Sequence, residues 1–486
     1  MTENKRITAA LINNRLESFF MGRAYPICIG VMVLLSYFFG LEPYIWTVNV
    51  LLVSAALAVC KSARPAIMFV ISFVFQVSVK NSPGVPSFSY YYFTSWRLPL
   101  VIILSLTLLS AIVYFSVKNK IFSGFSLRSP LVLPLLIFAV AMSVGGIFSG
   151  KWQLSGAVYG LCNGICLALV FIFFYFGLRG ENRRELVSYF IYVSALLTLI
   201  LIAELAYCYA VNDIKFDITS GKIDVFEKEK MHFGWGISNT MGVSLIVLIP
   251  VLLLGFYEKI GRFFYVPLAF IVYFASYLSM SRNAMLFGTV TLILSIAVIL
   301  FSSKRKKIYA IISIPLAVAA VTLAVIYKDA WLDTLKGFFT ENGRFRLWEH
   351  GIDNFLKHPI FGVGFFGFEL STFEAAEFLP TMAHQTFVQL LSATGIVGLV
   401  SYLYYRVMSL VPIVRRPSAV KLLLTLSAGA MLFESLLDNF IFYFLPTLHY
   451  SIVFAVLFVV YTREREEIKN KPEECRGGNK PLDSQG

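Results

Sequence analysis

Cysteine is scarce in this chain, and its six cysteines form no recognisable pattern. Five lie in or beside apolar runs and one lies in the C-terminal tail: Cys28, Cys60, Cys162, Cys166, Cys208 and Cys475. Cys162 and Cys166 share a helical face, but no further ligands with zinc spacing accompany them, and the five histidines show no metal-type spacing either. The cysteines therefore indicate neither a disulfide framework nor a metal site, and we interpret them as small apolar filler.

The chain also lacks the short alternating segments of a membrane β-barrel. No cleavable signal peptide is expected, because the N-terminus is polar and basic and the apolar run from Ile27 to Phe39 continues directly into further runs. The apolar fraction is 58%, against roughly 45–50% in soluble domains. Membrane helices are the remaining explanation for that excess.

Fourteen apolar runs approach the ~20 residues that cross a hydrocarbon core of about 30 Å. They are 25–41, 44–60, 65–80, 98–117, 129–148, 156–177, 186–210, 238–256, 262–280, 284–302, 308–327, 384–405, 419–437 and 441–461. We therefore predict an all-α polytopic membrane protein with about 12–14 transmembrane helices.

A net charge of +13 could suggest nucleic acid, but the positions of the charges argue against that partner. Most of the 41 Lys and Arg residues lie in the short segments on one side of the predicted membrane, as the positive-inside rule requires of the cytoplasmic side. We predict a cytoplasmic N-terminus (1–24), helices 1–11 (25–327), a large extracytoplasmic loop (328–383), helices 12–14 (384–461) and a disordered cytoplasmic tail (462–486).

Three predicted outer loops differ in character. Residues 80–97 are rich in aromatics, as in an interfacial aromatic belt, and residues 211–237 mix lysines with carboxylates, as in a solvated loop with an amphipathic stretch. Residues 328–383 exceed the ~12–15 residues beyond which loops tend to be functional or disordered. Apolar side chains recur there at helical spacing and predict one or two amphipathic helices over the outer face: Trp331, Phe338, Phe339, Trp348 and Ile352.

Four basic residues reach this outer side. Arg282 lies in a tight turn between two spans, Arg344 and Arg346 lie in the long loop, and His384 begins the next span. An arginine in an outer turn runs against the positive-inside rule, which favours a functional interpretation of Arg282 over simple snorkelling from a helix end. Arginine and histidine are costly beside a bilayer and useful for binding anionic phosphate groups.

Three acidic residues lie near the outer ends of predicted spans: Glu204, Glu434 and Asp438. If these ends converge, they form an outward-facing pocket of arginines, one histidine and one or two carboxylates. Structural pairing of Glu434 or Asp438 with an arginine is the alternative that the sequence leaves open.

The order of these motifs resembles the O-antigen ligases and polymerases. Ser281-Arg282-Asn283-Ala284 is followed by Gly343-Arg344 and then by His358-Pro359 with Gly362-Val363-Gly364. His384-Gln385, nine residues (386–394), Gly395, two residues and Gly398 fit the superfamily pattern His-[Asn/Ser/Gln]-x9-Gly-x2-[Gly/Thr/Tyr]. The resemblance covers about residues 265–440. Asn283 stands where the family usually has a small residue.

The resemblance implies a glycosyltransferase of the C type in the cytoplasmic membrane, acting at its outer face without metal or cofactor. Such an enzyme transfers a glycan, with inversion, from undecaprenyl diphosphate to a hydroxyl of an acceptor glycan or glycolipid. Arg282 and Arg344 would then stabilise the departing diphosphate, and His384, kept neutral by nearby arginines, would be the general base. Arg346, Gln385, Glu434 and Asp438 are further candidates for binding substrate. The chain has no Asp-x-Asp motif for a bridging metal.

Nothing in these residues identifies the acceptor. A polymerase extends a lipid-linked chain of repeat units, whereas a ligase transfers the finished glycan to lipid A–core; we favour polymerase because acceptors of polymerases vary more widely. A lipid-linked glycan flippase is the rival from another class, but a transporter would place its polar site near the bilayer midplane on broken helices.

Overall fold

The structure is a computed structural model. It describes residues 13–76, 97–216, 223–258, 262–304, 306–329, 332, 343–368, 383–439 and 444–469. The main helices are α1 Asn13–Met21, α2 Ala24–Phe39, α3 Glu42–Val59, α4 Ala66–Ile71, α5 Phe73–Gln76, α6 Arg97–Lys118, α7 Val132–Ser143, α8 Leu154–Leu178, α9 Arg183–Val211, α10 Val225–Glu229, α11 Ser238–Ile246, α12 Ile249–Tyr257, α13 Arg262–Leu278, α14 Arg282–Ser302, α15 Lys306–Ile326, α16 Gly343–Lys357, α17 Thr386–Ser409, α18 Val411–Arg415, α19 Ala419–Ser435 and α20 Phe444–Lys469.

Eight helical segments of the described chain are long and apolar enough to cross a membrane, or nine if the bent pair α1 and α2 forms one span. They are α3, α6, α8, α9, α11 with α12, α14, α15, and α17 with α18. Within the residues given above, β pairing is limited to an isolated bridge between His232 and Ile237. The structure confirms an all-α polytopic membrane protein.

Each of the fourteen predicted runs contains helix, but several are shorter or broken. The run 65–80 is divided at Ser72 into α4 and α5, and the run 129–148 has 12 helical residues in α7. The run 238–256 is divided before Pro250, whose ring fits the first turn of a new helix but supplies no N–H to continue the old one. Such breaks depend on single residues rather than on overall apolar composition.

Ion pairs mark one end of the bundle. Nζ of Lys421, near the start of α19, lies 2.5 Å from a carboxylate oxygen of Glu464, and Arg183 at the start of α9 approaches the same carboxylate at 3.2 Å. Because α19 starts at this ionic end and terminates at Ser435, the residues that follow it lie at the opposite end. We call that opposite end the His384 end, since Asp438 contacts His384 there.

Small residues allow close packing of α7 and α8 near the His384 end. A Cβ added at Gly160 would lie 2.8 Å from the ring of Phe365, and one at Gly164 would lie 2.8 Å from the Cβ of Ala139. Glycines four residues apart let two helix backbones approach in this way, as in membrane helix pairs generally. The packing holds the segment around Phe365 against α8.

The predicted loop 328–383 contains α16, one amphipathic helix of the expected kind. It buries Leu347 and exposes Phe345, Ile352 and Leu356. The predicted helical positions Trp331, Phe338 and Phe339 lie outside the described residues, as do most of the aromatic segment 80–97 and residues 470–486 of the predicted tail. The first residues of that predicted tail continue α20 as far as Lys469.

Candidate active site

His384 lies in the turn directly before α17, with its backbone in the left-handed region at a φ of 51°. This conformation costs a residue with a side chain roughly 1–3 kcal/mol, so the surrounding structure must hold it. Its Nδ1 lies 3.3 Å from Oδ1 of Asp438, in the turn after α19. The His384 side chain is 33% exposed and that of Asp438 is 6% exposed. A carboxylate at Nδ1 favours the tautomer that carries its hydrogen there and leaves Nε2 as an acceptor.

Gln385 is the N-cap of α17. Its side-chain oxygen accepts a hydrogen bond from the Val388 N–H at 2.6 Å, and the Ala383 N–H donates to Oε1 of Gln389 at 2.8 Å. Capping of this kind satisfies N–H groups that have no partner within the helix. Gln385 therefore holds the start of α17 behind His384, and a contact between Gln385 and substrate stays a prediction.

Several polar contacts hold Asp438 in place. Oδ1 also accepts the Asn439 N–H at 2.8 Å, and the carbonyl oxygen of Asp438 accepts the Thr386 hydroxyl at 3.3 Å. Oδ2 accepts from Nδ2 of Asn239, at the start of α11, at 3.5 Å, and Oδ1 of Asn239 accepts from Nζ of Lys228 at 3.3 Å. Neither Asn239 nor Lys228 could be recognised as a site residue from the sequence: lysines alternating with carboxylates, like Lys228, are typical of a solvated loop, and Asn239 belongs to no motif.

Glu434 lies one helical turn before Asp438 and is fully buried. Among the described residues, neither of its carboxylate oxygens has a hydrogen-bond partner, so the arginine partner left open by the sequence is not found there. Its electrostatic neighbours are Asp438 and Lys228. Glu204, the third acidic candidate, accepts a hydrogen bond from the Trp235 indole at 2.7 Å instead.

Arg282 begins α14, and its placement follows from two packing contacts. The rings of Phe287 in α14 and Phe433 in α19 stack with centroids 5.9 Å apart, which puts the start of α14 beside the end of α19. A Cβ added at Gly242 in α11 would lie 3.0 Å from the Cβ of Ser281. Arg282 therefore lies at the His384 end, and it is half-buried there. Asn283 is buried in the first turn of α14, which Ser281 caps in the ordinary way.

Helix α16 brings the second arginine motif to the same region. The Trp348 indole donates to the carbonyl of Ala383, the residue before His384, at 2.9 Å. Arg344 lies one helical turn before Trp348 in α16, and its side chain lies outside the described part of the structure. Arg346 is exposed. The structure thus places the backbone of Arg344 near the His384 turn and directs Arg346 to the surface.

The motif glycines build the support beneath this turn. The backbone of α17 is broken at Gly395, with a φ of 62° and a ψ of −158°. The turn that follows His358 enters this break: the Ile396 N–H donates to the Pro359 carbonyl at 2.9 Å, and the Val363 N–H donates to the Ser392 carbonyl at 2.8 Å. A Cβ at Gly395 would lie 2.7 Å from the Phe361 nitrogen. The glycine therefore permits a close approach of two backbones.

The arrangement can remove a proton and stabilise an anion. A partly exposed imidazole is oriented by a buried carboxylate, and one arginine starts a helix at the same end of the bundle. In the part of the chain that the structure describes, no group of three or more His, Cys, Asp or Glu residues is placed to hold a metal ion.

Comparison with known families decides among the membrane protein classes. Residues 267–403 match the family model described as O-antigen ligase. The chain thus contains an O-antigen ligase domain, which confirms the resemblance to the O-antigen ligase and polymerase superfamily inferred from its motifs. This domain implies a multi-pass membrane enzyme of the glycosyltransferase kind. A search of curated proteins found no match.

The O-antigen ligase match covers part of the site only. It includes Arg282, Arg344 and His384, and it ends within α17. Asp438, Asn239 and Lys228 lie outside the matched segment, so their contribution rests on the geometry described above.

Proposed function

We propose that this superfamily member transfers a glycan from undecaprenyl diphosphate to an acceptor hydroxyl, and that it polymerises the repeat units of a cell-surface polysaccharide. The contact between Nδ1 of His384 and Oδ1 of Asp438, 3.3 Å long, carries this proposal. It leaves Nε2 of a partly exposed ring as a base, which is the group that an unactivated hydroxyl needs.

The reaction breaks one bond and forms one. Nε2 of His384 accepts the proton of the acceptor hydroxyl while the hydroxyl oxygen attacks the anomeric carbon of the donor sugar. The bond from that carbon to the phosphate oxygen breaks, and its electron pair leaves with undecaprenyl diphosphate. Because attack comes from the side opposite the leaving group, the configuration at the carbon is inverted. Asp438 stabilises the imidazolium that forms.

Negative charge grows on the diphosphate during this step. Guanidinium groups carry a permanent charge and form paired hydrogen bonds to phosphate, so we assign Arg282 and Arg344 to the departing diphosphate. With arginines in this role, the proposed reaction needs no metal. Activity of purified protein should survive EDTA, and a loss that magnesium restores would contradict the metal-free mechanism.

The His384 end should face the outside of the cytoplasmic membrane, with both termini in the cytoplasm. Two observations support this orientation. The opposite end holds Lys421 and Arg183 in ion pairs, in agreement with the positive-inside rule. The exposed Phe345, Ile352 and Leu356 of α16 are suited to the membrane surface beside a lipid-linked donor.

The acceptor separates polymerase from ligase, and the description of the matched family model favours the ligase alternative. Purified protein in liposomes should therefore be given the lipid-linked repeat unit alone, and then with lipid A–core. Products of several repeat units made without lipid A–core would support polymerisation. Transfer only to lipid A–core would show a ligase, and transfer to neither would contradict the proposed enzyme.

A lipid-linked glycan flippase is the competing function. Its substrate site should lie near the bilayer midplane, whereas His384, Asp438 and Arg282 lie at one end of the bundle. Movement of labelled donor across the liposome membrane, without a new glycosidic bond, would favour the flippase.

A further inference from the structure

A series of polar side chains leads away from His384 towards residues 223–237, which we call the Lys228 segment. Oδ1 of Asp438 contacts His384 at 3.3 Å, and Oδ2 accepts from Nδ2 of Asn239 at 3.5 Å. Oδ1 of Asn239 accepts from Nζ of Lys228 at 3.3 Å. Four side chains from three separate stretches of sequence thus form one continuous series of contacts.

The Asn239 amide controls which way the Asp438 carboxylate faces. With Oδ1 on the imidazole and Oδ2 on the amide, rotation of the carboxylate breaks contacts at both oxygens. The amide is itself oriented, because its oxygen faces an ammonium group and its nitrogen faces a carboxylate. This arrangement restricts the imidazole to one orientation, and small errors in such an orientation are costly for catalysis.

Hydrogen bonds hold the Lys228 segment against the helix bundle. The Trp235 indole donates to Glu204 in α9 at 2.7 Å, and Nδ2 of Asn212 donates to the carbonyl of Lys230 at 3.2 Å. The neighbouring Lys230 pairs with Glu227 at 2.7 Å, within the segment. Lys228 is directed differently, towards Asn239, so the two lysines offer a matched comparison within one short segment.

Charge gives Lys228 a second effect. Glu434 and Asp438 are carboxylates one turn apart, both buried at the His384 end. Two buried carboxylates disfavour each other's charged form, and a cation beside them offsets that effect. Lys228 is the cation that acts on Glu434 in this region of the described chain.

We propose that Asn239 and Lys228 are positioning residues for the transfer reaction. Asn239 holds the Asp438 carboxylate on His384, and Lys228 holds the Asn239 amide while it offsets the charge of Asp438 and Glu434. The proposal rests on the proposed function, in which His384 is the base. Neither residue is assigned a contact with the reacting atoms.

The test uses the full chain in liposomes with lipid-linked repeat unit as donor, and measures kcat and KM separately. Asn239→Ala should lower kcat roughly 10–100-fold with KM changed less than about twofold, as expected for a misplaced catalytic group. Asn239→Asp, of nearly the same shape, should be at least as damaging because it puts a second carboxylate against Asp438.

The lysine variants test the second positioning residue. Lys228→Met should lower kcat, and Lys228→Arg should recover most of it. Lys230→Met should behave as the unmodified protein.

The outcomes separate this inference from the proposed function. Wild-type kcat in Asn239→Ala or Asn239→Asp, or equal losses in Lys228→Met and Lys230→Met, would overturn the positioning role. His384→Ala is measured beside them. If His384→Ala stays active, the proposed base is wrong; if it is inactive while the Asn239 variants are unaffected, only the present inference fails. A variant that does not fold is recognised by loss of donor binding, and the other substitution at that residue then decides.

Discussion

The Trp348 indole donates a hydrogen bond of 2.9 Å to the carbonyl oxygen of Ala383. This bond fastens α16, which carries Arg344, to the residue that precedes His384. Leu347 of α16 is buried against the same turn, in a small cluster with Val363, Phe368 and Ala383. Helix α16 and the turn that carries His384 therefore hold each other in position.

Removal of this hydrogen bond should reduce activity without unfolding the protein. Trp348→Phe keeps an aromatic ring but leaves the carbonyl of the buried Ala383 without its donor, which costs about 1–3 kcal/mol. We expect transfer to fall roughly tenfold as the His384 turn loosens. Glycan product and membrane-inserted protein should both be measured. Trp152→Phe, which removes an exposed indole, is the control. Equal activity in the two variants would argue that the hydrogen bond from Trp348 to Ala383 does not hold the His384 turn.

The contact between His384 and Asp438 makes a sharper prediction. Asp438→Asn keeps the size of the side chain but removes the carboxylate that accepts the Nδ1 hydrogen and stabilises the imidazolium. We expect a loss of roughly 10²–10⁴-fold, the usual contribution of a general base, and a similar loss in His384→Ala. Long-chain glycan in cells should disappear while the protein level stays constant.

Asp353→Asn provides the matched control, because Asp353 is an exposed aspartate on α16. Near-normal glycan in either Asp438→Asn or His384→Ala would remove that residue from the mechanism. Loss of glycan in Asp353→Asn as well would point to a general defect in the assay strain.

His384 and Asp438 differ in how far the sequence could identify them. The spacing from His384 to Gly395 and Gly398 is a local pattern, so it could be recognised directly. Asp438 appeared only as one of several acidic residues near predicted helix ends. The sequence could not distinguish a place for it in the substrate pocket from structural pairing with an arginine. Its partner Asn239 lies 199 residues away in the chain, and such a contact is created by helix packing that no local pattern records.

In the fold, too, local sequence patterns predicted some features and not those that arise from packing. Apolar runs located the helices, because each run long enough to cross a bilayer must bond its backbone internally. They did not show the break at Gly395 or the turn from Pro359 that enters it, since these depend on the approach of two backbones. The motif glycines could be recognised by spacing, but their purpose became clear only in three dimensions.

Substitutions of the three site arginines should differ in their effect on transfer activity. Arg282→Ala and Arg344→Ala should each abolish product, because removal of one donor to a developing anion typically costs about 10²–10³-fold. Arg346 is exposed, and it lies two residues from Arg344, on the far side of the helix at 3.6 residues per turn. Arg346→Ala should therefore retain activity.

The arginine variants are best compared in the liposome assay, with Arg128→Ala, an exposed arginine outside the site, as the control. If Arg346→Ala is inactive and Arg344→Ala is active, the two roles must be exchanged. Arg282→Lys adds a finer test, since it keeps the charge but loses the planar pair of donors and should recover little activity.

Gly395 should be intolerant of any side chain. Its φ of 62° and ψ of −158° lie in a region that is essentially restricted to glycine, and a Cβ there would lie 2.7 Å from the Phe361 nitrogen. Gly395→Ala should destabilise the protein by at least about 1–3 kcal/mol, seen as a lower unfolding temperature in detergent, and should displace the His384 turn. Gly429→Ala in α19 is the control, because nothing lies within 4 Å of its added Cβ and alanine favours a helix by about 1 kcal/mol over glycine. Equal stability of the two variants would show that the break in α17 is not needed to hold the turn.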